Sequence, residues 1–106
     1  MVRADVYDGE VLAGVLEFDG SNYSFMYDSE FLNRKESTAI SLTLPKQKEP
    51  FISKHLHSFF SNLLAEGNLK KLQCKKLKID ESDEFTRLIK TATHDTIGTV
   101  TIRESL

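Results

Sequence analysis

The chain has 106 residues, of which 40% are hydrophobic and 28% are charged, and its formal net charge is −2. This length suits one domain, and the composition is typical of a globular protein. A net charge so close to zero argues against a protein that attracts nucleic acid through a strong overall positive field.

The first third of the chain predicts short strands. Asp8-Gly9 lies between the apolar pairs Val6-Tyr7 and Val11-Leu12, which indicates a hairpin because glycine accepts a positive φ without a Cβ clash. Asp19-Gly20 ends the next apolar run, and residues 23–27 then alternate between aromatic and other side chains as a half-buried strand does. Together these segments predict a three-stranded antiparallel meander.

The next segment predicts a turn followed by a fourth strand. Residues 28–36 suit a turn that contains one short helical turn. In AISLTLP, Ile40, Leu42 and Leu44 fall on one face at period two, and Pro45 ends the predicted strand.

The middle of the chain predicts three amphipathic helices. The first begins after Ser53, a suitable N-cap, and its apolar residues recur at i, i+3, i+4, i+7 and i+8. These residues are Leu56, Phe59, Phe60, Leu63 and Leu64. The second follows Gly67, with an apolar face opposite a lysine face. The apolar residues are Leu69, Leu72 and Leu77, and the lysines are Lys71, Lys75 and Lys78. The third helix begins near Asp83, a capping residue.

A last strand is predicted around Ile97, Val100 and Ile102, with Gly98 at a bulge or a close backbone approach. The order of strands, helices and strand predicts a fold of the α+β class. We expect a small antiparallel β-sheet of about five strands, partly barrel-like, with about three helices packed on it.

Few residues suggest catalytic chemistry. His55 and His57 are two apart and cannot hold one metal from a regular helix. His94-Asp95 suits either an acid–base pair or a histidine at a helix C-terminus. The single cysteine, Cys74, excludes an internal disulfide and fits a structural thiol better than a nucleophile. With no glycine-rich phosphate loop either, we expect no enzyme, no metal and no cofactor.

The charge distribution suggests a protein partner. Residues 1–45 hold 3 basic and 8 acidic side chains, a net of −5, whereas residues 46–106 hold 11 basic and 8 acidic, a net of +3. The lysine run KKLQCKK at residues 70–76 suits a solvated helix face, an acidic protein partner or nucleic-acid phosphates. It lacks the interleaved aromatic residues that stack on bases, so we expect no direct nucleic-acid binding. No segment has the roughly 20 apolar residues of a membrane span and the first residues do not form a signal peptide, so we expect a cytoplasmic protein.

Four stretches carry a family resemblance. They are VYDGEVLAGVLEFDGSNYSFMYDSEFL, AISLTLP, FFSNLLAEGNLKKL and HDTIGTVTI. In this order they resemble the N-terminal subdomain of HipA-type kinases, the toxins of HipBA toxin–antitoxin systems, and the resemblance runs from Val6 to Ile102. It implies that residues 1–106 form one domain of this kind. The chain departs from the family pattern at Ala65, where proline is usual, and at Asn68, where a bulky residue, sometimes tryptophan, is common. We expect the alanine to extend the first helix by one residue and to loosen the turn.

The resemblance implies a function. The phosphate loop, catalytic aspartate and metal-binding residues of a HipA-type kinase lie beyond this subdomain, so the resemblance also implies no enzymatic activity. A free-standing chain of this kind is similar to HipS, the antitoxin of tripartite HipBST systems. The resemblance then implies an antitoxin that binds a HipT-like serine/threonine kinase near its active site, together with a HipB-like helix-turn-helix DNA-binding protein. The alternatives are an N-terminal fragment of a HipA-type kinase and a DNA-associated regulatory subunit.

The predicted kinase-binding residues lie in the turn between the first two predicted helices. They are Glu66, Gly67, Asn68, Leu69, Lys70 and Lys71. The carboxylate would pair with a cation of the kinase, and the lysines would meet acidic residues of its cleft. The alternative is that Gly67 is only a helix C-cap and Glu66 only a solvated charge.

Overall fold

A computed structural model of the protein describes residues 2–92 and 99–105. Five strands and four helices follow one another in this part of the chain. They are β1 (Val2–Asp8), β2 (Val11–Phe18), β3 (Tyr23–Tyr27), α1 (Ser29–Asn33), β4 (Phe51–Ser53), α2 (Ser58–Ser61), α3 (Gly67–Leu77), α4 (Glu84–Thr91) and β5 (Val100–Glu104). The predicted features at His94, Asp95, Ile97 and Gly98 lie outside the described residues.

The strands form one antiparallel sheet in the order β4-β3-β2-β1-β5. The predicted meander of the first three strands is confirmed, and Gly9 joins β1 to β2 with a φ of +65°. The predicted α+β class is confirmed as well. The partly barrel-like closure is wrong, because β4 pairs only with β3 and β5 only with β1, which leaves the described sheet open at both edges.

The core lies between one face of the sheet and the helices. The side chains that are wholly shielded from solvent come from both layers. The largest of them are Phe25, Phe60, Leu16, Leu88, Ile102 and Val6. Gly14 of β2 allows a close approach to β3, since a Cβ atom there would lie 2.4 Å from the backbone oxygen of Met26 and 2.8 Å from the ring of Phe25. The backbone of β3 and an aromatic ring therefore occupy the space that any side chain at this position would need.

The predicted strand at AISLTLP is wrong. This segment makes a tight turn with a single bridge between Ser41 and Leu44, while Leu42 points fully into solvent. The cause is a buried side chain of β3. The hydroxyl of Tyr27 donates a hydrogen bond to the Leu44 carbonyl and accepts one from the Ile40 amide, which folds the segment back on itself. The fourth strand along the chain is instead β4, which pairs with β3.

The first predicted helix is shorter than its pattern suggested. Ser53 is not its N-cap, because this residue pairs with Tyr23 at the end of β4. The chain then turns at His57, whose ring Nε2 lies 2.8 Å from the Phe51 carbonyl, before α2 begins. The helix ends at Ser61, so the predicted extension by Ala65 is also wrong.

The outer helices agree better with the sequence. The turn expected within residues 28–36 is α1, which raises the number of helices from the expected three to four. The carboxylate of Asp28 caps α1 by accepting hydrogen bonds from two backbone amides of its first turn. Asp83 caps α4, as predicted, by accepting a hydrogen bond from the Thr86 amide, and Phe85 and Leu88 of this helix are buried.

Candidate protein-binding site

The predicted site residues form one continuous surface at the start of α3. Glu66, Gly67, Asn68 and Leu69 are exposed, as is Lys71, and Lys70 between them is half-buried. The backbone turns at Gly67, which has a φ of +62°. A Cβ atom there would meet nothing within 4 Å, so glycine is favoured by the left-handed backbone and not by crowding.

Gly67 begins a helix and does not end one. The alternative reading, in which it caps the C-terminus of the preceding helix, is wrong because α2 already ends at Ser61 with Asn62 as its C-cap. Two short turns follow, in which the amides of Leu63 and Leu64 each bond to the carbonyl three residues earlier. The chain therefore reaches Glu66 in an extended conformation, with φ −125° and ψ +167°.

A buried arginine holds this turn against the body of the domain. Arg87 of α4 is only 5% exposed, and its Nη2 donates a hydrogen bond of 2.7 Å to the Ala65 carbonyl. Its Nη1 donates a longer bond of 3.4 Å to the Glu81 carbonyl. A buried charge needs hydrogen-bond partners, and here backbone carbonyls supply them. Sequence reasoning missed Arg87; the available signal was a cation within the apolar stripe of α4.

The charged groups of the turn are not neutralised within the part of the chain that the structure describes. The Glu66 carboxylate makes no hydrogen bond there and does not cap α3. Lys70 and Lys71 make no ion pair among these residues; the described ion pair joins Arg3 to Glu17 on the sheet. The turn therefore presents a carboxylate and two ammonium groups that no other described residue binds.

The predicted apolar face of the second helix is wrong. Leu69, Leu72 and Leu77 are about half exposed or more, and the residue of α3 that is buried is Cys74. At 3.6 residues per turn, Leu72 lies about 160° around the helix from Cys74. The helix therefore turns its small thiol inward and Leu72 outward. The burial of Cys74 fits its predicted structural role.

The described residues give little support for a metal site, a membrane span or a ligand groove at the predicted site. His57 bonds to a carbonyl and packs edge-on against Phe60, and His55 is exposed. Among residues 2–92 and 99–105, no three histidine, cysteine or acidic side chains come together as a metal site would require. No helix within these ranges is long and apolar enough to cross a membrane. A groove of about 750 Å³ beside β3 and α1, lined in part by Met26 and Leu32, contains none of the predicted site residues.

Comparison with known proteins relates the chain to one family. Residues 4–103 match the family described as HipA N-terminal domain. A Haemophilus influenzae protein described as "Uncharacterized protein" is 32% identical over 91 residues, which are 86% of this chain and 81% of that protein. "Putative kinase Y4mE" of Sinorhizobium fredii is 24% identical over 82 residues, which are 77% of this chain and 20% of the kinase. The solved structure named "N-terminal domain of HipA toxin" has a TM-score of 0.73 and 26% identity, and the match covers 100% of this chain and 94% of that one.

Proposed function

The chain belongs to the HipA N-terminal domain family, and from this premise we propose that it is an antitoxin that binds and inhibits a HipT-like serine/threonine kinase. In this proposal it has no catalytic activity of its own and works in the cytoplasm, in a tripartite complex with a HipB-like DNA-binding protein. One observation carries the proposal. The turn at residues 66–71 is largely exposed, its charged groups have no partner among the described residues, and the buried Arg87 fixes its position.

Such a turn suits the inhibition of a kinase. Phosphoryl transfer requires the nucleotide cleft to close around tightly positioned groups, so a rigid element docked near the active site would slow the reaction. Because Arg87 already holds the turn, little conformational entropy is lost on binding. The Glu66 carboxylate would pair with a cation of the kinase. Asn68 offers no aromatic anchor, so charge and backbone contacts would contribute more than a buried ring.

The relatives support two contexts for this domain, one as most of a short chain and one as part of a longer chain. The Haemophilus influenzae protein is matched over 81% of its length, so the family includes a protein of about this size. In Y4mE the matched region is 20% of a much longer chain that is described as a kinase. A second candidate function is therefore that of an N-terminal module in a HipA-type kinase. The reading frame of the natural gene decides between a free-standing antitoxin and this module.

A role in DNA-associated regulation has one supporting feature, the lysines of α3. A mobility-shift assay with the purified chain and a duplex DNA tests the direct version of that role. Binding near physiological salt would favour it, and no binding under those conditions would exclude it.

Co-expression with the neighbouring open reading frames, followed by affinity purification, tests the main proposal. We expect a stable complex with a kinase-sized chain and a lower rate of phosphoryl transfer by that kinase. The double variant Glu66→Ala with Asn68→Ala should bind and inhibit less well. The matched control is Asn33→Ala with Glu49→Ala, which removes the same two chemical groups from other exposed positions. Equal inhibition by both double variants would remove the turn from the mechanism.

A further inference from the structure

A second exposed surface continues from the turn along α3. We name it the outward face of α3 and define it by Leu69, Leu72, Lys71, Lys75 and Lys76. We infer that this face docks on a partner surface in which an apolar strip is bordered by carboxylates. The inference rests on the proposed function, because it assigns the chemistry of the kinase surface that the domain would cover.

The apolar part of this face consists of two neighbouring leucines. Leu69 is 56% exposed and Leu72 is 63% exposed. They are three residues apart on a helix, so their side chains lie next to each other. A single exposed leucine is ordinary on a protein surface. Two adjacent ones on a helix whose only buried residue is Cys74 are unusual, because a surface helix ordinarily turns its apolar residues toward the core.

The charges beside the leucines indicate what borders the partner's apolar strip, with Lys71 and Lys75 along one side of the leucines and Lys76 one turn beyond Leu72. Lys71, Lys75 and Lys76 are exposed and make no ion pair or hydrogen bond within the described part of the chain. Lys71 and Lys75 are four residues apart, so the two like charges repel each other along the helix surface. The α3 dipole favours cations at the C-terminal end of the helix but gives no such support to Lys71. Carboxylates on a partner would complement all three ammonium groups.

Other occupants fit this face less well. Nucleic-acid phosphates would engage the lysines but would leave two leucines in water. A second copy of the chain, related by a twofold axis through this face, would bring lysines against lysines. The face is also continuous with the turn, since Leu69 and Lys71 belong to both. Together they extend about 16 Å along α3, which suits one contact area on one partner.

The test measures how tightly variants of this chain bind the HipT-like kinase, which is purified from the co-expressed complex. One variant, Leu69→Ser with Leu72→Ser, removes the apolar strip, and another, Lys75→Glu with Lys76→Glu, reverses the charge beside it. The matched control is Leu42→Ser with Lys48→Glu, which makes the same types of change at exposed positions outside α3. Dissociation constants are measured by titration at low and at physiological salt. Far-UV circular dichroism checks that each variant is folded.

We expect each α3 variant to weaken binding at least about tenfold, and the control to bind like the unaltered chain. The charge reversal should also reduce the dependence of affinity on salt. If the unaltered chain binds the kinase and both α3 variants bind equally well, the inference is overturned while the proposed function stands. If the unaltered chain does not bind the kinase at all, both fail. Binding of a duplex DNA that is lost with the lysines but not with the leucines would assign the face to phosphates and would also overturn the inference.

Discussion

Replacement of Arg87 by methionine tests how the turn is held in place. Methionine is close to arginine in length, so Arg87→Met removes the charge and the donors without opening a large cavity. The bond of 2.7 Å to the Ala65 carbonyl is lost, and so is the weaker one of 3.4 Å to the Glu81 carbonyl. Hydrogen bonds that involve a charged group contribute about 1.5–3 kcal/mol each. The first bond is well formed and the second is long, so we expect a loss of about 2 kcal/mol in the free energy of unfolding.

Two measurements follow from this expectation. For a domain of this size, a loss of about 2 kcal/mol lowers Tm by roughly 10 °C. Hydrogen exchange at the amides between Leu64 and Lys70 should become faster, because the turn loses its attachment to α4. Arg34→Met is the matched control, since Arg34 is exposed. Kinase binding should weaken in Arg87→Met even though the buried guanidinium cannot reach a partner. Unchanged Tm together with unchanged exchange in the turn would refute the reasoning.

Three further changes test the packing and the acid response of the fold. Gly14→Ala should destabilise the sheet by several kcal/mol, seen in urea unfolding, because the new Cβ meets the Met26 carbonyl; a loss below about 1 kcal/mol would contradict this. Tyr27→Phe removes the donor to the Leu44 carbonyl and should cost about 1–3 kcal/mol, with faster proteolysis of the segment around Leu44 and not elsewhere. The amide and the hydroxyl of Ser82 donate hydrogen bonds to the Asp80 carboxylate, which hold its pKa below the ordinary value. The carboxylate therefore stabilises the fold at neutral pH, and this contribution disappears as pH falls through the lowered pKa. Asp80→Asn should therefore lower Tm slightly at neutral pH and have no effect in strong acid; an equal effect at both pH values would contradict it.

The first three strands and α4 could be predicted because their signals are local. Asp-Gly fixes the first hairpin through the backbone freedom of glycine, and alternating aromatic residues mark β3. The Asp83 carboxylate accepts hydrogen bonds from the amide and the hydroxyl of Thr86, so the start of α4 is specified within a few residues. Such features depend little on the rest of the molecule, and the structure confirms them.

The errors have a common cause, which is competition from distant residues. AISLTLP has the period of a strand, but the hydroxyl of Tyr27 binds both ends of the segment and imposes a turn. The apolar pattern after Ser53 continues into α2, but Ser53 itself, the predicted N-cap, pairs with Tyr23 in the sheet, and the helix begins only at Ser58. Neither the hydrogen bonds of Tyr27 nor the pairing with β3 can be read from the sequence of the segment itself.

The exposure of the candidate site could be predicted, because glycine and polar residues mark a turn at the surface. Its role in binding a kinase stays a prediction. The orientation of α3 could not be predicted, since periodicity alone cannot tell whether leucines face the core or solvent. Arg87 was missed because a buried cation paired with carbonyls has no fixed spacing from them in the sequence.

We propose that this domain restrains a kinase through the turn at residues 66–71. The most direct measurement is the rate of phosphoryl transfer by the purified HipT-like kinase, titrated with the purified chain. We expect inhibition that is complete near one chain per kinase, and a clear shift to higher concentration for Glu66→Ala with Asn68→Ala. A kinase that keeps its full rate when saturated with the chain would contradict the account.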